Sequence, residues 1–173
     1  MSDIEPDSSG QSNQVKQIGT NMFNAIHVYG SYLFILVFLV ACGLSLLSLL
    51  RKRPELERVI AMVFVAAFGV LVIAYACGFG PKAELLTAAS EPVARLAHRH
   101  HDMAKFVLTG MSLIAAAALT VLIRYRGQRF PVWFLPNLLF LALMIATFSV
   151  RSLVYAYQLD THPARHQPLL PKN

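Results

Sequence analysis

Histidine is concentrated in this chain where charge is otherwise scarce. Three of the six, His98, His100 and His101, fall in the stretch AHRHHDMAKF (97–106) with Arg99, Asp102 and Lys105, directly before the uncharged run FVLTGMSLIAAAALTVLI. A fourth, His27, opens another apolar run, IHVYGSYLFILVFLV. Neutral imidazole ligates iron, copper and zinc. Two imidazoles projecting inward from different helices of a bundle have the arrangement that holds a haem iron from both faces. A single helix face offers another site. His98 and His101 are i, i+3 and His98 and Asp102 are i, i+4, spacings that suit zinc or copper, with Met103 as a soft copper ligand and His162 and His166 as further donors. A third account needs no ligand: the cluster is a solvated helix end with Arg99 paired to Asp102 or Asp160, and His27 is an amphipathic side chain at an interface.

The elements that must position these residues follow from composition. The 173 residues are 56% apolar and only 14% charged, with mean hydropathy +0.54, far from a soluble average. Four uncharged runs, Gln17 to Leu50, Val59 to Pro81, Phe106 to Ile123 and Phe130 to Val150, are each long enough as helix to cross roughly 30 Å of hydrocarbon. The chain therefore reads as an all-α, four-helix transmembrane bundle, up-down-up-down, in contact with the lipid bilayer. Residues 1–23 read as a polar mobile tail, 24–158 as the transmembrane domain and 159–173 as a proline-rich tail. Ser90 as cap and Pro92 in the first turn start the third helix outside the bilayer, so its histidines lie on a helix; Pro131 fits the first turn of the fourth. Trp133 on one side, and Tyr155 and Tyr157 on the other, fit the interface belts.

The net charge of +6 is placed for topology. RKRPELER (51–58) and RYRGQR (124–129) are short basic turns, whereas the amino-terminal tail sets Lys16 against Asp3, Glu5 and Asp7. The positive-inside rule puts both turns in the cytoplasm. Both termini and the histidine cluster then face outside, which in a bacterial inner membrane is the periplasm. No aromatic-interleaved basic patch suggests nucleic acid.

The two hairpins form a weak repeat: histidine at the outer end, basic turn, return span. His27 precedes Arg51 by 24 residues, His101 precedes Arg124 by 23, and His100 does so by 24. Parallel helices with matching cytoplasmic arginines place His27 level with His101 or His100, to within about one helix rise. The pair chosen as iron ligands is His27 with His101, His100 serving equally by depth. Gly30 and Ser31 lie on the face of His27, and Gly110 and the alanines 115–118 lie on helix three, making room for a porphyrin. Arg151, Arg99 and Lys105, with Lys82, fall near the level where propionates need cations. With no CxxCH, one non-covalent haem b is expected. The competing reading gives the small residues to close helix packing and lets Arg151 snorkel.

Other classes find little to stand on. Cys42 and Cys77 sit in different spans at different depths and read as two buried thiols. LVAC (39–42) imitates a lipoprotein processing box but is followed by GLSLLSLL, so the first span is expected to be retained. No GxSxG, HExxH or Walker loop marks a hydrolase, and no charged or Pro/Gly-broken segment interrupts a span as in a transporter.

These features together are similar to a small prokaryotic membrane family, the domain of unknown function 2231 family. The resemblance spans about residues 25–158 and rests on His27 entering the first helix, Arg53 with Pro54 in the basic turn, Gly78 and Gly80 closing the second helix, and His100 or His101 starting the third. The chain departs from the family in lacking "HP" and a second histidine in helix one, which leaves at most one haem ligand there. The resemblance implies electron transfer, since some members are joined to Rieske-type iron–sulfur domains. Here any redox partner is a separate polypeptide. The resulting expectation is an electron-transfer protein, rather than an independent enzyme, between quinol and an external redox protein, within a larger membrane complex or alone. The alternative is a haem-free membrane anchor or assembly subunit with a solvated or metal-binding histidine rim.

Overall fold

The structure, a computed structural model, describes residues 8–51, 54–78 and 91–161. Among the described residues it is all-helical: α1 (Ser8–Arg51), α2 (Pro54–Cys77), α3 (Glu91–Arg124) and α4 (Phe134–Thr161). Each contains a stretch long and apolar enough to cross a membrane. α1 packs on α2, α2 on α3 and α3 on α4; the ring closes between α1 and α4 along the thinnest seam. Ser90, Lys82, Gly80, Arg53, His162 and His166 lie outside the described residues.

The core runs down the middle of the ring. Phe34 and Phe38 of α1 meet Phe64 of α2, with Phe38 edge-on to Phe64 at a centroid distance of 6.1 Å, and Met111, Ile114, Ala118 and Ala142 complete it from α3 and α4. The outward faces carry Leu36, Leu50, Ile73, Leu113 and Phe140, all exposed, an apolar surface that only lipid or another chain can cover. Several hydroxyls within the spans are satisfied by their own helices. Ser45 donates to Ala41 O at 2.7 Å, Thr120 to Ala116 O and Thr147 to Met144 O, and no buried side-chain nitrogen or oxygen among the described residues lacks a partner. In hydrocarbon, where water cannot supply the bond, this is the required accounting.

Three element boundaries differ from the sequence expectation. α1 begins at Ser8, so the part of the polar tail from Ser8 to residue 23 is helix; Gln11, Gln14, Lys16 and Gln17 are good helix formers that extend a helix already nucleated by the span. α4 begins at Phe134, because Pro131 sits in a preceding turn whose carbonyl accepts the Phe134 N–H at 2.9 Å. At its other end α4 continues to Thr161, beyond residue 158. The early start of α3 stands, with Pro92 in its first turn. Val93 and Ala97 pack against Leu159 in a small cluster separate from the main core, and an exposed Arg95–Glu91 pair (2.9 Å) lies on the same extension.

Gly110 and Ala118 of α3 serve the approach to neighbouring helices rather than a cofactor. A Cβ on Gly110 would fall 2.7 Å from Ile145 Cγ1, which is buried against it from α4. Gly110→Leu is therefore expected to lower the thermal unfolding midpoint in detergent, by overpacking of about 1–3 kcal/mol. Gly110→Leu combined with Ile145→Ala should recover part of the loss, and an unchanged midpoint in the single variant would contradict the packing.

Candidate functional site

A cavity of about 170 Å³ lies inside the bundle at the histidine end, and every helix contributes to its wall. α1 supplies His27, Ser31, Tyr32, Phe34 and Ile35; α2 supplies Leu71, Ala74 and Tyr75; α3 supplies His100, Ala104 and Val107; α4 supplies Ser149, Ser152, Leu153 and Ala156. Most of this lining is apolar, with the polar groups concentrated around the two imidazoles. Val28, Tyr32 and Leu153, which border the cavity on α1 and α4, are exposed on the outer surface. The cavity thus reaches the bundle surface at the thin α1–α4 seam.

Both histidines are held from behind by main-chain carbonyls. His27 Nδ1 lies 2.7 Å from Ala74 O, and His100 Nδ1 lies 2.9 Å from Ser152 O, with Ser152 Oγ also at 3.2 Å. A carbonyl only accepts, so each Nδ1 carries the ring proton and donates it. In the neutral imidazole Nε2 then keeps its lone pair. A backbone carbonyl behind a ligating imidazole is the arrangement that sets tautomer and ring orientation in metal sites.

Close helix approach seats His27. A Cβ on Gly78 would stand 2.8 Å from both Cε1 and Nδ1 of His27, so the ring occupies space that any larger residue would fill. One turn earlier, a Cβ on Gly30 would be 3.0 Å from Ala74 Cβ, so α1 and α2 nearly touch at the level where Ala74 O receives the His27 proton. Ser31, expected only as a small residue, lines the cavity but donates its hydroxyl to His27 O at 2.7 Å.

The histidine beside His27 in this cavity is His100, where the sequence reading chose His101. Successive helix residues turn by about 100°, and that step carries His101 to α2, where its ring stacks on Tyr75 (centroids 5.6 Å apart, planes at 19°) with Tyr75 Oη 3.4 Å from Nε2. The cations chosen for propionates are elsewhere. Arg99, Arg151 and Lys105 are exposed and absent from the cavity wall, and Lys105 faces Asp102 at 3.6 Å. Asp102 thus has Lys105 rather than Arg99 as its partner. His98 and Asp102 are both exposed, and no group of three metal-binding side chains forms among the described residues. Cys42 and Cys77 are free thiols, as expected, but half-buried rather than buried.

Ser152, Ala74 and Tyr75 escaped the sequence reading. Ser152 adjoins Arg151, whose level on α4 follows from the residue count. Ala74 and Gly78 form a small-xxx-small pair in YACG and its flank, a signal of close helix approach. Nothing in sequence marks a carbonyl as an acceptor.

The donor types suit haem iron: two imidazoles from diagonal helices α1 and α3 line one cavity, each with Nδ1 hydrogen-bonded to a carbonyl. The enclosed volume is that of a single-ring ligand. A tetrapyrrole needs a larger pocket, of roughly 300–1,000 Å³, so the cavity is too small for one in this conformation. Fold and site define a four-helix membrane-type bundle with an interhelical two-histidine cavity. Comparison with family models, with curated proteins and with solved structures finds no match to this chain.

Proposed function

We propose that this chain is a membrane b-type cytochrome, carrying one haem through His27 and His100 and passing electrons between membrane quinol and an external redox protein, alone or in a larger complex. The observation that carries the reading is the pair of imidazoles on one cavity, each with Nδ1–H given to a main-chain carbonyl. Haem b, when bound, supplies a one-electron couple. The chain's residues do the rest. Ala74 O and Ser152 O aim the rings, Phe34, Leu71 and Val107 keep water from the cavity, and the seam beside Tyr32 and Leu153 faces the bilayer from which a quinol comes. In this proposal the helices run up-down-up-down with both termini and the histidine end on the periplasmic side of a bacterial inner membrane. That orientation rests on the basic turns.

A second reading, a haem-free anchor or assembly subunit, draws on the small enclosed volume and on Arg99, Arg151 and Lys105 standing away from the cavity. Reduced-minus-oxidised visible spectra of the detergent-purified protein, made with ample haem, separate the two. Soret and α bands of b type are the expected result. A featureless spectrum, with no haem in a pyridine haemochrome assay, would transfer the assignment to the anchor.

A further inference from the structure

We propose that the basic end of the bundle, opposite the histidines, is a binding surface for the phosphate headgroups of anionic phospholipids. Arg51 ends α1, Arg58 lies in the early turns of α2, Arg124 ends α3, and Arg126 and Arg129 follow in the connection to α4; all are exposed. Among the described residues the ion pairs are Arg95–Glu91 and Lys105–Asp102, both on α3 toward its histidine end. Among the described residues, the guanidinium groups of Arg51, Arg58, Arg124, Arg126 and Arg129 thus have no carboxylate at ion-pair distance. Glu57 lies within the field of Arg129 and Glu55 is exposed nearby, so the surface keeps an excess of positive charge.

Arg58, at the end of the first basic stretch, is tied to the second basic turn. Arg58 Nη2 donates to Gln128 O at 3.0 Å, tying α2 to the α3–α4 connection. That connection is shaped by Gly127 at φ 85°, a left-handed backbone that favours glycine, and by the Gln128 N–H to Tyr125 O bond at 3.0 Å. Phe130, buried edge-on against Phe134, anchors it to the core directly after Arg129. Beyond the anchor stand Val132, 94% exposed, and Trp133, 61% exposed, with Ile123 and Leu50 exposed at the helix ends. Cations beside an apolar and aromatic collar match a membrane interface, where guanidinium meets phosphate and indole lies at headgroup depth. The reading does not depend on haem.

Trp133 is the chain's single tryptophan, which makes the surface report on itself. The full chain is placed in phosphatidylcholine vesicles containing a minor fraction of either brominated phosphatidylglycerol or brominated phosphatidylcholine, and Trp133 fluorescence is read. Stronger quenching by the brominated phosphatidylglycerol is expected, with the preference falling roughly fivefold for each arginine lost in Arg126→Gln and Arg129→Gln, taken singly and together. Retained quenching by brominated phosphatidylcholine in the variants confirms that Trp133 still lies in the interface. Equal quenching by the two lipids in the unmodified protein would overturn the proposal. So would loss of the preference on adding inorganic phosphate but not chloride at matched ionic strength, because the site would then take free phosphate.

Discussion

The His100→Ala protein, purified with haem available, is expected to lose the b-type bands that the His101→Ala protein keeps. Replacing only a hydrogen-bonding partner of a metal-bound histidine costs about 10–100-fold in metal affinity, so removing a proposed ligand itself should exceed that range. His27→Ala should match His100→Ala, because the rings are equivalent: each lines the cavity, and each has Nδ1 held by a carbonyl. His101 touches Tyr75 instead, and its loss removes a stacking contact from the α2–α3 interface. Haem-to-protein ratio by pyridine haemochrome is the measurement. Loss of haem in His101→Ala with retention in His100→Ala would reverse the assignment, and retention in all three would dismiss the two-histidine site.

Gly78→Val should produce the second large effect, and it acts without removing a ligand. The added Cβ arrives 2.8 Å from the His27 ring, and a branched side chain leaves the ring nowhere to sit while it still reaches Ala74 O. Haem affinity is expected to fall by about 10–100-fold, while far-ultraviolet circular dichroism stays helical, since Gly78 lies just past the end of α2. Gly43→Ala and Gly69→Ala are the controls. At neither position does a new Cβ come within 4 Å of any atom beyond its own stretch of helix backbone, and alanine is the better helix former by about 1 kcal/mol, so both should be neutral or stabilising with haem content unchanged. Full haem affinity in Gly78→Val would mean that His27 does not depend on this seat.

Much of the architecture was legible because it is set by length and charge along one dimension. The apolar runs forecast helices of membrane length at the right places, and proline and polar positions located the start of α3 well. The errors fell at ends, where a boundary depends on neighbours: Gln and Lys residues lengthened α1, and the Pro131 turn shortened α4. The small residues of α3 were visible too, but their use was not. Gly110 is filled by Ile145 from a helix about 35 positions later in the chain, and the sequence pattern is the same whether a side chain or a cofactor takes the space.

By itself the sequence determined that His27 and the histidine pair at the start of the third span share a level. Depth along a helix is a count of residues from a marked end, and Arg51 and Arg124 mark those ends. The tertiary structure decided which imidazole turned inward. His100 and His101 differ by one residue in depth but by about 100° in direction, and direction has meaning only once α2 and α4 stand on either side. Those helices also brought what no residue type encodes, the carbonyls of Ala74 and Ser152, which take the Nδ1 protons of the two rings that line the cavity.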